Sequence, residues 1–158
     1  MTIRQATVAD IPALESLLQD VLQVHHAVRP DIFKAQGQKF SSQELEEMLA
    51  DPDKPILVYE KEGQILGHLF CQIQEAKGAC LEPMKTLFVD DLCVAESARG
   101  QKIGEQLYQY ALLFARKNGC KNITLDVWNA NGGALNFYQR QGMQAQKTRM
   151  EQLIDQED

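Results

Sequence analysis

The chain has no apolar run approaching the ~20 residues that a membrane-crossing helix needs, so no membrane partner is expected. Positive charge is scarce as well. Sixteen Lys and Arg stand against 22 Asp and Glu, a formal net charge of −6. Phosphate backbones are bound by an excess of Lys and Arg, which argues against nucleic acid. An acidic surface instead suits a cationic partner such as an amine. Cysteine is sparse: Cys71, Cys80, Cys93 and Cys120 are scattered, with no C-x-x-C pair. His25, His26 and His68 show no ligand spacing with them, so no metal is expected. The thiols read as reduced, partly buried small hydrophobes of a cytoplasmic chain. Met1-Thr2-Ile3-Arg4 leads directly into polar and small residues, so no secretory leader is expected. Internal repeats, low-complexity runs and linkers are absent too.

What is present is an ordinary globular composition, 44% hydrophobic and 24% charged over 158 residues. One domain spanning 1–158 is expected, and a chain of this size buries roughly 68–70% of the surface its unfolded form exposes. The organising stretch runs from Val89 to Ile103. A β-branched and aromatic run, Leu87 to Val94, reads as a buried strand. It breaks into a loop carrying Arg99 and Gly100. Apolar residues then recur at Ile103, Leu107, Tyr110 or Ala111 and Phe114, one face of a helix. Strand, glycine-bearing loop and helix together aim backbone N–H groups and a helix dipole at one spot, which suits an anion such as phosphate.

The remaining pattern is mixed α/β, a central sheet with helices on both faces. Thr2 to Thr7 reads as a strand, and Asp10 as the cap of a helix running to about His25. Ala27 to Phe40 is irregular. Ser41 and Glu44 frame a second helix reaching Leu49 or Ala50. Ile56 to Tyr59 and Ile65 to Ile73 form a hairpin, with a loop from Glu75 to Met84. The strand over 85–94, the helix over 103–117 ended by Asn118-Gly119, and a strand over 122–127 follow. A loop over 128–133, a helix over 134–140 closed by Gly142, and a final strand over 143–154 complete the chain before an acidic tail.

Three groups of residues carry a resemblance: Val89-Asp90-Asp91-Leu92-Cys93-Val94; Arg99-Gly100-Gln101-Lys102-Ile103-Gly104; and Asn131-x-x-Ala134-x-x-Phe137-Tyr138 with Gly142-Met143. Together with the opening Ile3-Arg4-x-Ala6-Thr7-x-x-Asp10, they resemble the GNAT superfamily of acyl-CoA-dependent N-acetyltransferases over nearly the whole chain. The resemblance implies a mixed, mostly antiparallel sheet with a splayed pair of central parallel strands and a bulge near Leu92-Cys93-Val94. It implies acetyl-CoA as the donor, its pyrophosphate wrapped by Arg99, Gly100, Gln101, Lys102, Ile103, Gly104 and Glu105. Its pantetheine arm would pair with the backbone of Leu92, Cys93 and Val94 and meet Asn131 and Ala134. The family usually has glycine where this chain has Lys102.

Direct transfer to an amine makes two demands. An amine of pKa ~10.4 is free base about once in 2,500 molecules at pH 7, a cost of roughly 4.6 kcal/mol, so some group must accept its proton. Asp90 and Asp91 lie beside the opening and, by strand alternation, point to opposite faces. The resemblance favours Asp90. The leaving thiolate also needs a proton, and Tyr138 matches the family's acid position. Asn131 can alternatively be a plain cap before Ala134. The acceptor is a small-molecule or peptide amine, and His25, His26, Arg29, Asp31, Phe33 and Trp128 are candidate wall residues. A dimer through the final strands would suit the family. The competing reading is an acyl-CoA-binding or interaction module of the same fold without catalysis.

Overall fold

The computed structural model describes residues 2–154, which fall into two compact units divided after Asp126. The first holds a five-stranded sheet in the order β1 (Thr2–Gln5), β2 (Ile56–Lys61), β3 (Gln64–Ala76), β4 (Met84–Val94) and β5 (Asn122–Leu125). All neighbours are antiparallel except β4 and β5, which run parallel. This parallel pair lies at the end of the sheet, because residues 143–154 form no strand.

Each face of the sheet carries its own core. Against one face packs α3 (Ile103–Lys117), whose Ile103, Leu107, Ala111 and Ala115 meet Leu57, Leu69, Leu87 and Val89. Against the other pack α1 (Ile11–Val28) and α2 (Ser42–Ala50), joining Leu14, Leu18 and Leu45 to Ile56, Val58 and Phe70. The 3- and 4-residue apolar spacing of each helix dictates this, since only one stripe of each can be buried. Gly67 lets α3 approach: a Cβ there would meet Cys93 O and Leu107 Cδ1 at 3.1 Å and Ile103 Cγ2 at 3.2 Å.

Local signals explain most boundaries. Ser41 Oγ accepts from the Glu44 amide and Glu44 Oε1 from the Ser41 amide, both at 3.1 Å, starting α2 as expected. Gly119, at φ +74°, ends α3 as expected. Asp10 does not cap α1 with its side chain. A short 3-10 turn, Val8–Asp10, precedes the helix, and the Asp10 carboxylate accepts instead from the Thr7 amide at 2.7 Å and from Arg4 at 2.8 and 3.0 Å. No helix among the described residues is long and apolar enough to cross a membrane.

The second unit contains α4 (Gly132–Arg140). Gly142 takes φ +105° and the Met143 amide donates to Tyr138 O at 3.1 Å, so this helix closes where expected. The strand expected over 143–154 is not formed. Its central stretch, Gln144-Ala145-Gln146-Lys147-Thr148-Arg149, offers little to bury, and Met150, Leu153 and Ile154 are 83%, 72% and 88% exposed. A dimer through final strands therefore has no strand to carry it among these residues.

Candidate active site

The loop after β4 turns through a short 3-10 segment, Glu96–Ala98, and reaches α3 by way of two residues in the left-handed region, Gly100 at φ +86° and Lys102 at φ +60°. Glycine adopts such a conformation without cost, whereas a side chain pays about 1–2 kcal/mol. Lys102 therefore holds the helix-entry geometry that a glycine would supply. The Gln106 amide donates to Lys102 O at 3.0 Å, so the amides ahead of it have no carbonyl one turn back. Arg99, Gly100, Gln101, Lys102 and Glu105 are exposed, while Ile103 is buried as the anchor. A Cβ on Gly100 would meet nothing within 4 Å, so the loop is open to a ligand. Open amides, two cations and a helix N-terminus fit a diphosphate.

Upstream, β4 pairs with β5 only from Thr86↔Asn122 to Val89↔Leu125, yet continues to Val94 along β3. The β4 edge that carries Leu92, Cys93 and Val94 thus extends beyond its parallel partner. The register along β3 slips at the same point: Cys71 faces Val89 and Phe70 faces Asp91, leaving Asp90 as the extra residue of a bulge. The bulge lies at Asp90 rather than near Leu92-Cys93-Val94. It also corrects the expectation that the two aspartates point to opposite faces, because an inserted residue resets the alternation. Both carboxylates reach groups on the α1–α2 side: Asp90 pairs with Lys39 at 3.1 Å, and Asp91 with His68 Nε2 at 3.0 Å.

The His68–Asp91 pair is buried. His68 is 0% exposed and Asp91 6%, and His68 Nδ1 makes no hydrogen bond among the described residues. Burial alone would push the Asp91 carboxyl up, but the hydrogen bond from His68 and the nearby positive charges overcome it, leaving the group below its usual range. Cys93 donates from Sγ to Leu17 O at 3.4 Å, and burial with the Asp91 charge pushes its thiol up to about 12. A thiol held protonated to that degree is a poor nucleophile.

The candidate wall residues of the first unit make contacts within the segment between α1 and α2. His26 donates from Nδ1 to Phe33 O at 2.8 Å, and His25 packs its ring 4.8 Å from that of Phe33. Gln23 Nε2 donates to Ala35 O at 2.7 Å and Gln19 Nε2 to Gly37 O, so positions 19, 23 and 26 of one helix face tie the segment down. Burial lowers the pKa of His25, with the Lys39 charge adding to this and Asp91 opposing it. Asp31 is held by Arg29 through Nε and Nη2 at 2.9 and 2.8 Å, which lowers its pKa. In the second unit, Asn131 Oδ1 accepts from the Ala134 amide at 3.2 Å, capping α4. Tyr138 is half-buried, edge-on to Phe137 with ring centroids 5.1 Å apart, and Trp128 lies in the preceding loop, 36% exposed.

Two residues of this constellation lie outside the candidate site residues that the sequence offers. His68 sits inside the apolar run Leu66-Gly67-His68-Leu69-Phe70, and a lone imidazole in a buried strand requires a partner; that was the available signal. Lys39 gave none, being one lysine among others in an irregular stretch.

An open sheet edge thus lies beside an amide-rich loop and a carboxylate-bearing bulge. A model of the acetyltransferase (GNAT) family matches residues 19–143, and the chain belongs to that family. An uncharacterised N-acetyltransferase of Bacillus subtilis, YhfO, is 27% identical over 90% of this chain and 89% of its own. Streptothricin acetyltransferase of Streptomyces lavendulae is 39% identical, but the match spans only 35% of this chain and 30% of that protein. Among solved structures, a mutant of the BH1408 protein of Bacillus halodurans is similar at a TM-score of 0.92 and 28% identity, covering 98% of this chain and 99% of that one.

Proposed function

We propose that the chain transfers an acetyl group from acetyl-CoA to a primary amine by direct attack within a ternary complex. The observation that carries this reading is the β4 edge left open beyond Val89, leading to a loop whose amides converge ahead of α3. The Arg99–Glu105 segment would bind the pyrophosphate, with Arg99 and Lys102 adding charge. The backbone of Leu92, Cys93 and Val94 would pair with the pantetheine arm as an added strand would, and Asn131 and Ala134 would meet the same arm. A backbone site explains why Cys93 can stay inert.

Asp90 is the proposed base. It lies on the bulge, where the acceptor's ammonium must lose a proton before nitrogen can attack. Tyr138 is the proposed acid for the departing thiolate, since its reference pKa of ~10 lies above the ~8.5 of a thiol. His25, His26, Asp31, Phe33 and Trp128 would shape the acceptor side. His25, His26 and Phe33 would act through the segment they tie down. The acidic chain and the name of streptothricin acetyltransferase both favour a small, cationic amine as acceptor.

Thiol release from acetyl-CoA on mixing with a panel of amines tests the activity. Tyr138→Phe should lower kcat by ~10²-fold or more while the rise in melting temperature caused by CoA is kept. Unchanged turnover in that variant would dismiss the proton-donor role. A chain that binds acetyl-CoA yet releases no thiol with any amine would instead be the non-catalytic binding module.

A further inference from the structure

The segment between α1 and α2 delivers an amine of the chain itself to the proposed base. Lys39 Nζ lies 3.1 Å from Asp90 Oδ2. The chain on either side of it is anchored. Its neighbour Phe40 stacks on buried Phe70 with ring centroids 5.8 Å apart and an 11° angle between planes. The Lys39 ammonium stands 5.4 Å from the Phe40 ring centroid, and the preceding backbone is fastened to α1 through Gln19, Gln23 and His26. An ammonium paired with this carboxylate is the arrangement that the proposed function gives an acceptor before its proton is removed. Asp90 itself marks the point where β4 outruns β5, the opening through which the thioester would be threaded.

We propose that Lys39 is a self-acetylation site, the chain's own amine standing where an acceptor amine would stand. The inference rests on the donor reading above and needs only acetyl-CoA as co-reactant. A proton passes from Lys39 Nζ to Asp90, and the freed lone pair attacks the thioester carbonyl. The new C–N bond forms as the C–S bond breaks, and sulfur leaves with the second amine proton as free CoA thiol. Tethering supplies the effective concentration that a dissolved amine lacks. The modified lysine is neutral, so once Asp90 passes the abstracted proton to water it has lost its counter-ion and presents its charge to a cationic acceptor.

The test uses the whole chain and acetyl-CoA with no added amine, followed by peptide mapping for a mass gain of one acetyl group. Lys34, exposed in the same segment, reports background chemical acetylation. Lys39 should react at least ~10-fold faster than Lys34. Asp90→Asn should bring Lys39 down to the Lys34 rate without altering Lys34. Lys39→Arg keeps a cation on Asp90 and should melt as the parent does, with the acetylated peptide gone. Equal rates at Lys39 and Lys34, in a chain whose melting temperature rises with CoA, would overturn the proposal and leave the transferase reading standing. No rise with CoA or acetyl-CoA would remove both.

Discussion

The two faces of the sheet are built on opposite principles. On the α3 side the buried cluster is made of Leu, Val, Ile, Ala, Cys and Tyr, and in the proposed function the groups offered to a ligand there come mainly from backbone, the β4 edge and the amides ahead of α3. The three buried polar or charged residues among those described belong to the other side. His68 and Asp91 pair on the α1 side of the sheet, and Asp10 precedes the first residue of α1. A face that works through backbone can keep an apolar core, because main-chain groups are positioned by secondary structure alone. A face that works through carboxylates must bury part of their support, and each buried charge has to be matched.

Breaking a match on the polar face should give the largest effect. His68→Leu leaves the Asp91 carboxylate buried without its hydrogen-bond partner and should cost about 3–5 kcal/mol by denaturant unfolding. His68→Leu combined with Asp91→Leu should recover much of that loss, because an apolar pair of similar volume carries no desolvation penalty. A double variant no more stable than His68→Leu would mean that the two residues are not coupled, and the contrast between faces would lose its main support.

The apolar face is probed by Gly67→Ala. The added methyl meets Cys93 O, Leu107 and Ile103 at 3.1 to 3.2 Å, and a backbone oxygen cannot rotate away. Overpacking of this kind should cost about 1–3 kcal/mol. Because Ile103 opens α3, the strain falls on the amide-rich loop, so affinity for CoA should drop along with the melting temperature. A stable variant with unchanged CoA affinity would show that α3 has room to shift without disturbing its first turn.

Acid should act through the polar face. Arg4 lowers the pKa of Asp10 by hydrogen bonding, helped by the Thr7 amide, and Asp91 is lowered in net by its partners. A carboxyl depressed in the folded state adds stability that is complete above its unfolded value, near 3.8, and is lost as pH falls below it. Asp10→Asn should therefore cost about 1 kcal/mol near neutrality, a figure discounted because Arg4 is about one-third exposed, and the cost should shrink toward pH 3. Stability curves that stay parallel down to about pH 3 would refute the linkage.

The division between faces also separates what the sequence disclosed from what it withheld. The α3 boundaries were legible because an apolar stripe of fixed period ends in Asn118-Gly119, and Ser41 with Glu44 wrote the start of α2 in the same local code. The position of the bulge was not legible. Two adjacent aspartates read alike whichever face each takes, so a one-residue slip against Phe70 and Cys71 leaves no trace in the pattern. His68 and Asp91 are 23 positions apart in sequence, and no local rule connects them. The strand expected over 143–154 failed for a different reason, since its central stretch carries hardly any apolar side chain to bury.

Lys102 is where the backbone face departs from the rule that it needs no special side chain. A lysine at φ +60° is strained, and Lys102→Gly removes about 1–2 kcal/mol of that strain. Glycine also loosens the unfolded chain by about 0.5–1 kcal/mol, so the net gain in stability should be only about 0.5 kcal/mol. Affinity decides what the lysine is for. If its ammonium helps neutralise a diphosphate, Lys102→Gly should weaken CoA binding by a few-fold at low salt, with the difference fading as ionic strength rises. If the variant binds CoA as well or better at every salt concentration, Lys102 contributes only its backbone, and Arg99 is left as the side chain that adds charge to the main-chain groups of this face.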